Sequence, residues 1–273
     1  MKKWCLFLTL SMMLCLLAGC AAGKDAVPSA GSEAPPTGSL TEEEPPQAEA
    51  TIRCRVVSGA EDGDLLLAET EGSGIFTLSI KDLTVTKGGA EWATGDSLQN
   101  GDLVTIGYDG TILETYPGRL SNPTWMDVEN GGRDDLSALY LQVLEDLWEV
   151  DSALNSGITM IGMDLSATSL CESERAAVGW AFAQNHGMEL VEGTWQELAD
   201  QGYIDAENLY WEDGCHFSIT EKPMEGVYSL RPVTFDAQKW RSGLGAYFFC
   251  DCTSVQSALG QWDGYAVGAE AIS

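Results

Sequence analysis

Between Thr51 and about residue 130 the chain never sustains an apolar run beyond strand length before a glycine or aspartate turn interrupts it, a punctuation that excludes long helices there. Ile52, Cys54 and Val56 alternate with Arg53, Arg55 and Val57, and Phe76, Leu78 and Ile80 repeat the period of two that sends side chains to opposite faces of a strand. Glu61-Asp62-Gly63-Asp64 separates the first two runs, and Asn100-Gly101-Asp102 opens Leu103 to Tyr108. Asp109-Gly110 is a two-residue hairpin signal before Thr111 to Thr115. The pattern predicts a small all-β unit of about five strands over 51–130.

The stretch Gly101-Asp102-Leu103-Val104-Thr105-Ile106-Gly107-Tyr108-Asp109-Gly110, continuing to Tyr116-Pro117, resembles the small OB-like barrels of exported proteins of Gram-positive bacteria. The resemblance covers about a third of the chain and implies a barrel; its motif is mostly turn chemistry, so it brings no functional residue with it. OB barrels bind oligonucleotides or oligosaccharides on one face. Here Arg53, Arg55, Lys81, Lys87 and Arg119 are outnumbered by carboxylates, which argues against nucleic acid. Arg53 and Arg55, two apart, share one strand face, and solvent exposure is the expectation for both.

From 131 to 273 the pattern changes. Leu136, Leu139, Tyr140, Val143, Leu144, Leu147 and Trp148 form the i, i+3, i+4, i+7 stripe of a helix, which Asp134 or Asp135 can cap. Ile158 to Leu165 reads as a strand. Ser169-x-x-Glu172 and Thr194-x-x-Glu197 read as capping boxes of two further helices, ending near Gly187 and Gly202. Asp213-Gly214 is expected to turn Leu209 to Trp211 back into Cys215 to Thr220, before a meander of Tyr228 to Trp240, Leu244 to Thr253 and Trp262 to Ile272. The fold class predicted is α+β: a small OB-like barrel at 51–130, then an α+β domain at 131–273 with a C-terminal antiparallel meander, not a doubly wound sheet. The order of elements in the second part loosely resembles cystatin-like or nuclear-transport-factor-like cones.

The first fifty residues carry an address. Lys2 and Lys3 precede the mostly apolar run Trp4 to Leu17, the length of a signal peptide and too short for a span of about 20 apolar residues. Leu17-Ala18-Gly19-Cys20 resembles the lipobox of bacterial lipoproteins. That family's chemistry implies a diacylglyceryl thioether on Cys20, cleavage after Gly19, and further acylation, palmitate being representative. Each methylene buried in lipid contributes about 0.8 kcal/mol, so two or more acyl chains anchor stably where one does not. Residues 1–19 are thus expected to be a signal peptide. Residues 20–50 are expected to be a lipidated cysteine with a disordered tether, holding prolines 28, 35, 36, 45 and 46 and no aromatic residue. The expected location is the cell membrane, lipid-anchored and facing away from the cytoplasm.

Removing Lys2 and Lys3 from the fourteen basic residues leaves twelve against 42 acidic ones, a formal excess of thirty negative charges. Nucleic acid is disfavoured as a partner, because counterion release needs clustered cations and these are scattered. With Cys5 and Cys15 removed in the leader and Cys20 acylated, the remaining Cys54, Cys171, Cys215, Cys250 and Cys252 match no zinc spacing and cannot all pair. Cys250 and Cys252 would share one strand face, too stretched to bridge each other. One of them could reach Cys215 or Cys171, and no bridge is assigned; no metal or cofactor is predicted, and no loop has the alternating acidic pattern of a calcium site.

Candidate chemistry is sparse. His186, in Asn185-His186-Gly187, suits a helix end, where an imidazole can bond free carbonyls. Cys215 and His216 face opposite sides of a strand and cannot form a dyad, though Cys215 could meet His186 across the fold. Asp164, Glu212 and Asp213 are the carboxylates a hydrolase would use, provided that two converge in an accessible cleft. Lys239-Trp240-Arg241 is the densest cationic spot and the candidate ligand contact, with Trp240 as a stacking floor. A sugar platform would require two of Trp211, Trp240 and Trp262 exposed on one face.

The expectation is a lipoprotein that works by binding, without its own chemistry, its partner an envelope protein or saccharide. A cell-envelope hydrolase and a surface carbohydrate-binding module are the alternatives. Replacing Cys20→Ser is predicted to release the protein from the membrane or leave it unprocessed, read by detergent partition of whole cells; unchanged partition would refute the anchor.

Overall fold

The computed structural model describes residues 48–93, 96–224, 226 and 229–273. The leader, its boundary Leu17-Ala18-Gly19-Cys20 and all but the last residues of the 20–50 tether lie outside the described residues.

The turn-punctuated segment forms one sheet of nine strands: β1 (Ala50–Ser58), β2 (Asp64–Glu69), β3 (Ile75–Ser79), β4 (Thr84–Lys87), β5 (Ala90–Glu91), β6 (Leu103–Tyr108), β7 (Ile112–Leu113), β8 (Gly118–Leu120) and β9 (Trp125–Val128). Their order is β5-β4-β9-β6-β1-β2-β3-β8-β7, with β3–β8 and β4–β9 parallel and the remaining pairs antiparallel. One face gathers Phe76 and Leu120 from one side of this order and Met126 and Val128 from the other into a single apolar cluster, so the sheet wraps around its own core. Among the described residues no pairing joins β5 to β7, so the barrel implied by the resemblance is not closed. The strands beyond the five expected include β5 and β7, two residues each, below the length at which alternation can be recognised.

The second sheet contains β10 (Met160–Asp164), β11 (Glu189–Glu192), β12 (Gly214–Glu221), β13 (Pro232–Ser242), β14 (Gly245–Val255) and β15 (Ala269–Ile272), in the order β11-β10-β12-β13-β14-β15. Three helices accompany it: α1 (Leu136–Glu149), α2 (Glu172–His186) and α3 (Trp195–Asp200). With two mixed sheets and three helices among the described residues, the class is α+β.

The predicted stripe from Leu136 to Trp148 lies within α1, and Asp134 Oδ1 accepts the Leu136 N–H at 3.2 Å. The box at Thr194 is present, with Thr194 N–H donating to Glu197 Oε2 at 2.8 Å and Glu197 N–H to Thr194 Oγ1 at 3.2 Å. α2 begins two residues later than Ser169 implied: the N-cap is Cys171, whose N–H donates to Glu174 Oε2 at 2.9 Å. Ser169 instead donates from N and Oγ to Glu221 Oε1, at 2.7 and 2.9 Å.

Further expectations are corrected. Asp109-Gly110 makes no hairpin, because β6 pairs β1 and β9 while β7 pairs β8. β12 does not form a hairpin with Leu209–Trp211; it runs parallel to β10 and antiparallel to β13. Of the 209–211 segment, Tyr210 makes isolated bridges to Asp205 and Ser242. The parallel trio β11-β10-β12, with α2 connecting β10 to β11, also departs from a cone built on antiparallel strands. In β14, Phe249 pairs Ala237 while Cys252 pairs Phe235, so the strand carries one extra residue near Asp251, whose φ is 52°. This bulge shifts the side-chain phase. Phe249 and Cys252 are buried in the core and Cys250 is not, so the two cysteines do not share a face.

The meeting of the two sheets sets the architecture. Val57, Leu66, Ala68 and Ile75 on the outer face of the first sheet join α1, α2 and the inner face of the second sheet in one cluster. The helix pair is therefore a middle layer covered from both sides, and β2 is buried on both faces, Leu65 and Leu67 inward and Leu66 and Ala68 toward α2. Arg55, expected in solvent, spans the junction: its Nε lies 2.8 Å from Glu174 Oε1, both side chains largely buried. Arg53 remains exposed, paired with Glu129 at 2.6 Å.

Candidate functional site

On the face of the second sheet opposite α1 and α2, α3 packs through Leu198 against Trp211, which is fully buried. The indole lies on Gly162 of β10 and Gly214 of β12, where any Cβ would sit 2.6 and 2.0 Å from ring carbons. No larger residue fits either position. α2 and α3 lie on opposite faces, and a crevice opens at the carboxyl ends of β10 and β11.

That crevice has a volume of about 120 Å³, and Asp164, Ser166, Arg175, Glu192, Thr194 and Glu197 line it. Asp164 Oδ1 accepts from Ser166 N and Oγ at 2.9 and 2.6 Å. Glu197 is occupied by its capping box. Glu192 is raised above the usual carboxylate range by partial burial, against the lowering effect of Arg175 and with Glu172 adding to the rise. Asp164 is the one predicted carboxylate that meets others in a cleft. Glu212 and Asp213 lie at the start of β12, beside Met160 at the opposite end of β10, where Asp213 accepts the Trp211 Nε1–H at 3.2 Å. Glu192, Arg175 and Glu197 were missed from sequence; the Thr194–Glu197 box was visible, but only as a cap.

His216 stands behind this crevice. Its ring is 1% exposed, with Nε2 at 3.2 Å from the Gly193 carbonyl, while buried Nδ1 has no hydrogen-bond partner among the described residues. Burial holds this imidazole below its ordinary value, against the raising effects of the Gly193 carbonyl and Asp164. His186 stacks on Trp148 at 3.8 Å between ring centroids, and its Nε2 lies 2.8 Å from Glu145 Oε2 rather than on helix carbonyls. Cys215 Sγ bonds the Trp240 carbonyl at 3.4 Å, and burial pushes its thiol up to about 12, which removes the thiolate a nucleophile needs. The structure gives Cys215 and His186 no hydrogen bond to each other.

The cationic triplet is corrected as a ligand contact. Lys239 is wholly buried on the helix side of β13, where its ammonium donates to the carbonyls of Trp148 and Asp151 at 3.3 Å, to that of Val150, and to Asn155 Oδ1 at 3.3 Å. It neutralises the negative end of α1 and cannot meet an external anion. Arg241 likewise donates to the carbonyls of Leu154, Ser156 and Glu212, at 3.2, 2.6 and 2.8 Å. Trp240, half-buried on the other face, meets Trp195 edge-on at 5.5 Å. Trp211 and Trp262 are buried at 0% and 6% exposure, so the sugar platform lacks its two exposed rings.

A larger opening lies in the first sheet, between the end of β1 and the β4–β6 connection. This cleft of about 630 Å³ is walled by Ala60, Ile80, Val85, Trp92, Leu98 and Met126, with Glu61, Asp96, Ser97 and Gln99 at its margins. Such a volume lies within the ~300–1,000 Å³ common for small-molecule sites, and apolar walls with few polar groups are their usual composition. Among the described residues no group of three or more His, Cys, Asp or Glu could hold a metal ion, and no helix is long and apolar enough to cross a membrane. No protein-family model, curated protein or solved structure matches the chain.

The buried His216 gives a pH signature. Its folded-state value is lowered, so the unfolded chain takes up the proton first as pH falls below about 6.5. The unfolding midpoint of the wild type is predicted to drop between about pH 7.5 and 5.5, and that of His216→Gln to change less over the same window. The raised carboxyls of Asp102, Asp135 and Glu192 act with the opposite sign in both proteins and cancel in the comparison. Identical pH dependence would contradict the assignment.

Proposed function

We propose that the protein is a lipid-anchored extracytoplasmic lipoprotein that works by binding, and that its ligand occupies the apolar cleft of the first sheet. The first sheet is read as an OB-like barrel left open between its edge strands β5 and β7. The observation that carries the proposal is the cleft itself: about 630 Å³, lined by Ile80, Val85, Trp92, Leu98 and Met126. Burying an aliphatic or aromatic group of a ligand there gains roughly 25 cal/mol per Å² removed from water. Lipidation of Cys20 after cleavage at Leu17-Ala18-Gly19 belongs to the same proposal.

One observation favours the hydrolase as a second reading, namely the convergence of Asp164, Glu192 and Glu197 on the crevice at the carboxyl ends of β10 and β11. A carboxyl raised by burial, such as Glu192, is the kind of group from which general acids and bases are made. The crevice, at about 120 Å³, is a fifth the size of the apolar cleft and would hold only a small part of a substrate.

The test uses soluble protein beginning at residue 48 and the uncharged fluorescent probe N-phenyl-1-naphthylamine. Saturable binding is predicted, weakened about tenfold by Trp92→Ala, a loss of ~1.4 kcal/mol that suits removal of an aromatic wall. Equal binding by both proteins, or none by the wild type, would contradict the proposed cleft. Turnover of envelope substrates that disappears in Glu192→Gln would favour the second reading instead.

A further inference from the structure

A second opening adjoins the apolar cleft. Ser97 and Gln99, which line the cleft, also line this opening of about 510 Å³ that the first sheet shares with the loop Gln256–Gly260. The two openings differ in chemistry. The second is lined by Lys87, Arg133, Asp102 and Glu129, with Ser257 on the loop side.

Most of these charges are already matched within the protein. Glu129 receives Arg53 at 2.6 and 2.8 Å, and Arg133 is bound to Asp135 Oδ2 and the Asn100 carbonyl, each at 3.0 Å. Asp102 Oδ2 accepts the Gln99 N–H at 2.9 Å. Lys87 is the loosest member: its Nζ lies 3.6 Å from Asp96 Oδ1, and its side chain is 38% exposed. Two cations and two carboxylates line one opening, which gives it donors and acceptors without a net field for a simple ion. Hydroxyl groups, each able to donate once and accept twice, are the ligand chemistry that such a mixture satisfies.

Building on the binding proposed above, we infer that the two openings form one amphiphile site, taking an apolar body in the first and an uncharged polyhydroxyl head, of the kind a glycolipid carries, in the second. An anionic head would add to the large negative charge of the chain and face Asp102 and Glu129. A cationic head would face Lys87 and Arg133. A hydroxylated head meets neither penalty, and Ser97 and Gln99 mark where body passes into head.

The experiment displaces bound N-phenyl-1-naphthylamine with 1-octanol, n-octyl β-glucoside or n-octyl sulfate, all below micelle-forming concentrations. The three share one alkyl body and differ in the head. The glucoside is expected to act at concentrations at least tenfold lower than the other two. In the double variant Lys87→Ala, Ser257→Ala this advantage should vanish while the affinities for the naphthylamine and octanol stay unchanged, which also reports an intact fold. Naphthylamine binding without a glucoside advantage, an advantage that survives in the double variant, or stronger displacement by the sulfate would each overturn the inference alone. Failure of the wild type to bind the naphthylamine would overturn it together with the binding function.

Discussion

The structure depends on burial of the helix pair α1 and α2 from two sides. A helix with one apolar stripe needs one partner surface, whereas this layer serves two sheets, and each sheet would expose apolar residues without it. Leu66, Ala68 and Ile75 are the consequence on the first sheet, and Phe217 and Phe235 on the second. Burying a side chain of the larger kind contributes about 1.5–3 kcal/mol, so a handful of them matches the net stability of a whole domain. The strands of the first sheet lie between Ala50 and Val128 and those of the second between Met160 and Ile272, and one apolar cluster joins the outer face of the first to the helices and the second.

Polar contacts then fix how the first sheet sits against the loops of the second part. Asp135, nearly buried, accepts the Trp262 N–H at 2.7 Å, its own N–H donates to the Gly260 carbonyl at 3.3 Å, and the Asp134 N–H donates to the Gly101 carbonyl at 3.0 Å. Gly260 lies so close to Arg133 that a Cβ would fall 1.9 Å from its carbonyl oxygen. These contacts hold the Gln256–Gly260 loop against the first sheet and so define the opening between them. Arg231 adds a clamp, binding Asp134 Oδ2 at 2.5 Å and Ser169 Oγ at 3.1 Å while its guanidinium lies 5.5 Å from the Trp262 ring centre. The geometry of the proposed head site is therefore a product of the shared core, not of either sheet alone.

What could be read from sequence was local. The stripe from Leu136, the Thr194 box and the turn at Gly101 each carry their physics within a few residues, and each matches an observed feature; Gly110 has the positive φ of a turn, 83°, but the hairpin expected there does not form. The parallel pairing of β10 with β12 is non-local: fifty residues separate Asp164 from Gly214, and Gly214 looked like a turn glycine when its function is to admit Trp211. The bulge near Asp251 is invisible to a pattern of period two, so Cys250 and Cys252 were assigned to one face. Lys239 misled for a related reason. Its alternation with Val233, Phe235 and Ala237 placed it inward, but a lysine signals interior burial only when its carbonyl partners at the end of α1 are known. The crevice residues Arg175 and Glu192 come from elements that meet only in three dimensions, and the apolar cleft likewise joins Ile80, just past β3, to Met126 of β9.

The central claim is that both sheets and the helix layer form one cooperative unit that shapes the clefts. Native-state hydrogen exchange, followed by mass spectrometry on the soluble protein across rising denaturant, tests it most directly, because local openings separate from global unfolding by their denaturant dependence. The slowest amides of β1, β2 and β3 are predicted to converge with those of β12, β13 and β14 on one opening free energy. A first sheet that opens as a separate unit at lower free energy, with the second sheet still protected, would contradict the account.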